Sequence, residues 1–125
     1  MITVKVVRDN TRRITGVFMS GHAGYAEAGS DIICAGASTL FYTLANSLER
    51  ICGLNAEDIS AVHEDPNDGE VKAEIIVPYN RLPDLESEKR AVVVTETILT
   101  GFMTLAMTAN ENEDHIKYID IVEDI

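Results

Sequence analysis

His22 and Cys34 stand twelve positions apart in the stretch GHAGYAEAGSDIICAGAS, residues 21–38. The chain has three histidines and two cysteines, and this stretch holds one of each. A thiol paired with an imidazole is a nucleophile with its base: the imidazole takes the thiol proton, or holds the thiolate as an ion pair. The first half of the stretch is glycine-rich and the second runs into an apolar-periodic segment. That pattern hangs a loop over the start of a helix. A cysteine at a helix N-terminus faces unpaired backbone N–H groups and the positive end of the macrodipole. Both favour thiolate, the reactive form, and the same N–H groups can hold the oxyanion of a tetrahedral intermediate. Ala35, Gly36 and Ala37 leave room for a substrate backbone.

A second reading of Cys34 stands beside this one. A lone cysteine in an apolar stretch is commonly a small core residue, and spacing alone does not bring two side chains together. Asp31 caps the helix, orients His22 or holds the loop closed. Ser38 lies one turn after Cys34, on the same face, where its hydroxyl serves the site or bonds back to the Cys34 carbonyl.

The elements that must position these residues follow from periodicity. Residues 2–8 alternate, with Ile2, Val4 and Val6 on one face, and residues 13–20 read as a second strand after the Asp9-Asn10 turn. The loop runs from Gly21 to Ile33; with Gly21, Gly24 and Gly29 and little apolar packing, it is expected to be mobile until a ligand binds. Cys34 to Cys52 reads as a helix burying Ala37, Leu40, Phe41, Leu44, Leu48 and Ile51, stopped by Gly53. A weak strand over 58–64, a turn at Pro66-Asn67-Asp68-Gly69 and a strand over 70–77 come next. A long helix runs from Asp84 or Ser87 to Ala109, and 115–122 closes the chain as a strand. The order ββαββαβ predicts an α+β domain spanning residues 1–125, with two helices on a mixed, mainly antiparallel sheet of about five strands.

Composition narrows the function. The chain has 125 residues, 46% of them hydrophobic, enough for one packed core. A net charge of −11 repels phosphate backbones and favours a basic partner. There is no run of about 18 apolar residues and no signal-type start, so no membrane partner and a cytoplasmic location are expected. The two cysteines are expected to stay reduced: on one helix they are roughly 27 Å apart. Cys52, at a helix C-terminus, reads as structural. His63-Glu64-Asp65 has no second cluster at metal-ligand spacing and reads as a solvated turn edge. No P-loop or dinucleotide fingerprint is present, and neither metal nor cofactor is expected. A thiol-transfer role lacks a resolving cysteine near Cys34.

GHA, then a short glycine-containing loop, then GSDIICAGAS resembles the ribosomal-processing cysteine proteases called Prp. The size, the element order, the acidic character and the MITV start are also similar, so the resemblance spans the whole chain. The family often has valine where Ile33 stands. The resemblance implies a cysteine endopeptidase that removes a short N-terminal extension from the large-subunit ribosomal protein numbered twenty-seven, cutting after an aromatic residue and before a small one. It makes Cys34 the nucleophile and His22 the base of a Cys-His dyad acting through a thioester, with the backbone N–H groups of Cys34 and Ala35 holding the oxyanion. Gly21, Asp31 and Ser38 belong to the motif as supporting residues. Tyr25, Ile32 or Phe41 would shape the groove for the apolar cleavage segment. The resemblance also implies a homodimer, a ribosomal protein precursor as partner and no direct contact with nucleic acid. The alternative is a non-catalytic, ribosome-associated binding module of the same fold.

Overall fold

A computed structural model of the protein describes residues 1–22 and 30–124, with backbone alone at 22, 30 and 31. Gly24, Tyr25 and Gly29 lie outside the described residues, as do the side chains of His22 and Asp31. The elements are β1 (Ile2–Arg8), β2 (Ile14–His22), α1 (Ser30–Cys52), α2 (Ala56–Ile59), β3 (Ser60–Glu64), β4 (Glu70–Ile76), α3 (Leu85–Asn110) and β5 (Ile119–Asp124). The strands form one five-stranded sheet in the order β3-β4-β2-β1-β5. All neighbours are antiparallel except β1 and β5, which run parallel. The expected α+β architecture and element order are those observed, with the short α2 added.

Alternation decides which face is buried. Ile2, Val4 and Val6 of β1, Val17 and Met19 of β2, and Ala73 and Ile75 of β4 are all buried. Against them lie Ala37, Phe41, Leu44 and Leu48 of α1 and Ala91, Ile98, Leu99 and Phe102 of α3. Burying each of the larger of these side chains, valine and above, contributes about 1.5–3 kcal/mol. Lys5, Lys72 and Glu74, at the alternate positions, are exposed, as an antiparallel sheet with one solvated face requires. The helices meet closely: an added Cβ on Gly101 would lie 2.6 Å from Leu40 Cδ2, and one on Gly36 would lie 3.2 Å from Leu105 Cδ1. A window of α3 has mean hydropathy 1.5, enough by length and composition to cross a membrane. One side of that helix packs into the core described above.

Three boundaries and one core position differ from the sequence reading. α1 begins at Ser30, not Cys34, because Ile33 sits one turn before Ala37 and extends the same buried stripe, being 9% exposed. At the other end Ile51 is 39% exposed and Cys52 1% exposed, so Cys52 takes the core position assigned to Ile51. Residues 58 and 59 belong to α2, started by Asn55, whose side chain accepts from the Glu57 N–H. β5 starts at Ile119, since His115 takes φ 55° in a turn where its N–H donates to the Asn112 carbonyl at 3.2 Å. Asn110 Oδ1 then accepts from the N–H of Tyr118 at 2.9 Å and leads the chain into the strand.

Candidate active site

Three strands and one helix converge at Cys34. β2 runs between β1 and β4 and pairs Gly21 with Val71 and His22 with Glu70. α1 brings its second turn over this end of the sheet. Among the described residues, Cys34 and Ser38 of α1, Met19, Ser20 and Gly21 of β2, Ile2 of β1 and Val71 of β4 line a cavity of about 50 Å³. Cys34 is partly buried there, whereas Cys52 is buried in the core.

Gly21 is where β2 is shaped to fit. Its φ is +153°, and a Cβ added there would lie 2.9 Å from the Met1 carbonyl oxygen and 3.0 Å from Ile2 Cα. Backbone of this kind accepts glycine almost alone. Ile2 is held in turn by its N–H, which donates to the Tyr118 carbonyl at 2.9 Å.

The cavity brings Gly21, Cys34 and Ser38 together. His22 is the last residue of β2, next to Gly21; its side chain and that of Asp31 lie outside the described residues. Ala35 is exposed on α1. With α1 starting at Ser30, Cys34 and Ala35 are its fifth and sixth residues. A helix leaves only its first four N–H groups without intrahelical partners, so the unpaired amides are those of the first turn, among them Ser30, Asp31 and Ile32. The amides assigned from sequence to the oxyanion are thus committed to the helix ladder. Phe41 is 1% exposed in the core and does not shape a groove, whereas Ile32 is 77% exposed.

Sequence reasoning missed Ile2, Met19, Ser20 and Val71 as walls of this cavity. Alternation placed Ile2 and Val71 on buried faces, but no local signal says which strand ends meet the start of α1. Burial pushes the Cys52 thiol above the ordinary thiol range, against a smaller opposing pull from Arg90. A larger hollow of about 520 Å³ on the opposite face of the sheet is lined by Lys5, Phe18, His63 and Lys72 among others, and contains neither cysteine.

A family model described as cysteine protease Prp matches residues 1–117. The ribosomal processing cysteine protease Prp of Staphylococcus aureus is 32% identical over 112 residues, which cover 90% of this chain and 94% of that protein. A crystal structure of the S. aureus Prp in complex with a substrate peptide superimposes with a TM-score of 0.67 at 26% identity, covering 99% of this chain and 100% of the other. A second S. aureus structure, with a covalently linked product peptide, gives a TM-score of 0.65 at 25% identity over the same shares.

Proposed function

The chain belongs to the Prp family of ribosomal-processing cysteine proteases, and from that premise we propose that it is an endopeptidase with Cys34 as nucleophile and His22 as base. The observation that carries the assignment is the cavity at the start of α1, which contains Cys34 and excludes Cys52. The covalently linked product peptide in the S. aureus relative fits a thiol nucleophile.

Helical side chains lean toward the helix N-terminus, so the thiol of Cys34 sits over the first turn of α1. The unpaired amides of that turn then face both the sulfur and the developing oxyanion, the role first given to Cys34 and Ala35. His22 takes the proton from Cys34, and the thiolate attacks the scissile carbonyl. The tetrahedral intermediate collapses to a thioester as His22 gives its proton to the leaving amine. Water then attacks the thioester, losing its proton to His22, and releases the carboxylate product and the thiolate. Ser38, in the same cavity, and Asp31, in the first turn, support the dyad.

The substrate we assign is the precursor of the large-subunit ribosomal protein numbered twenty-seven, cut to remove its N-terminal extension in the cytoplasm. Its basic character suits a chain of net charge −11. Mass spectrometry of that precursor after incubation tests the proposal. The wild type releases the extension, and Cys34→Ala and His22→Ala each abolish release while keeping the wild-type circular dichroism; cutting by Cys34→Ala would overturn it.

A homodimer is part of the same proposal. From Thr97 to Asn110, α3 carries no charged residue. Met103 and Met107 are exposed there by 41% and 74%, and Val93, one turn before Thr97, by 64%. The hydroxyls of Thr97, Thr100, Thr104 and Thr108 donate back to carbonyls of their own helix. Such a surface on an otherwise acidic chain suits a second copy. Light scattering should give a dimer for the wild type and a monomer for Met103→Glu with Met107→Glu.

A further inference from the structure

We propose that Val71 and Ile2 are specificity-determining residues: they hold the cavity beside Cys34 to the size of a small, uncharged side chain and so select one residue flanking the scissile bond. The inference rests on the cysteine-protease reading of Cys34. At about 50 Å³ the cavity is a fraction of what a ring needs; a core cavity that takes benzene is about 150 Å³. Among the described residues its apolar walls are Ile2, Met19 and Val71, and its polar groups are the serines at 20 and 38 and the thiol. No charged residue lines it among those described, and its walls are mostly apolar, so a charged side chain entering it gives up water for few polar groups.

Two features make Val71 the adjustable wall. It pairs across the sheet with Gly21, which has no side chain of its own to bound the cavity. It is also only partly buried, whereas Ile2 is 7% exposed and belongs to the core. Gly21 meets Ile2 directly, with Cγ1 3.3 Å from the place a Cβ would take, so the β1 side of the cavity is closed. An apolar pocket of this kind discriminates by about 10- to 200-fold per methylene.

The experiment measures kcat/KM for the full chain on two peptide series spanning the extension junction. One series varies the residue before the scissile bond and the other the residue after it, each through Gly, Ala, Val and Leu. In one series the wild type falls by at least about tenfold from Ala to Leu. Val71→Ala raises the Leu-to-Ala ratio in that series by about tenfold, and Val71→Phe lowers the rate on the Ala peptide relative to Gly. Val62→Ala, on the exposed neighbouring strand, leaves the ratios as in the wild type. Each ratio is taken within one variant, so a loss of folded protein cancels. Flat series in the wild type, or the same Leu-to-Ala ratio in Val71→Ala as in the wild type, would overturn the proposal while leaving the protease standing. A wild type that cuts none of the peptides would instead overturn the protease reading, and this inference with it.

Discussion

Met1 leaves no room for a side chain at Gly21: a Cβ there would lie 2.9 Å from the Met1 carbonyl oxygen. The first residues of the chain thereby lie against the strand end that leads into His22 and faces Cys34.

Replacing Gly21 by alanine imposes two costs at once, a disfavoured backbone conformation and an overlap with backbone that no side-chain rotation relieves. Together these amount to about 1–3 kcal/mol. The end of β2 shifts to relieve them, so Gly21→Ala should lower the melting temperature by several degrees and reduce kcat/KM further than the lost stability explains. A variant with wild-type kinetics would show that the strand end does not position the site.

The two cysteines differ in access. Cys52 is 1% exposed and its thiol is held protonated by burial. Cys34 lines the cavity and is only partly buried. Iodoacetamide near pH 7 should therefore label Cys34 at least about tenfold faster, as read by peptide mass spectrometry. Equal labelling of the two would argue against an activated Cys34.

The hairpin between β1 and β2 makes stability depend on acid. The Asp9 carboxylate accepts from the Thr11 hydroxyl at 2.7 Å, from the Thr11 N–H at 2.9 Å and from the Arg13 N–H at 3.0 Å. These hydrogen bonds, that from the Thr11 hydroxyl first, hold its pKa down at about 2. The ordinary aspartate value is about 3.9. A depressed carboxylate stabilises the fold above that ordinary value and loses the contribution as pH falls through its folded value. Melting temperatures should therefore drop from pH 4 toward pH 2, and less steeply in Asp9→Asn. Equal slopes would show that Asp9 does not contribute.

Much of the fold was legible because its signals are local. Alternation over 2–8 and 70–77, the helical stripe of Ala37, Phe41, Leu44 and Leu48, and the turn after Pro66 each depend on residues a few positions apart. The start of α1 was misjudged because glycine-rich sequence up to Gly29 made the whole of 21–33 read as loop. β5 was misjudged because His115 and Ile116 alternate like a strand, yet belong to a turn held by Asn112, which donates to the Ile116 carbonyl at 2.8 Å.

By itself the sequence determined the α+β element order, the inward faces of β1 and β4, most of the buried stripes of α1 and α3, and the motif containing His22 and Cys34. The tertiary structure decided that β2 lies between β1 and β4. Ile2, Gly21 and Val71, far apart in the chain, thereby meet around Cys34 and Ser38. The physical reason is range: side-chain periodicity is set within a few residues, whereas strand order and the walls of a cavity depend on which distant segments bury one another.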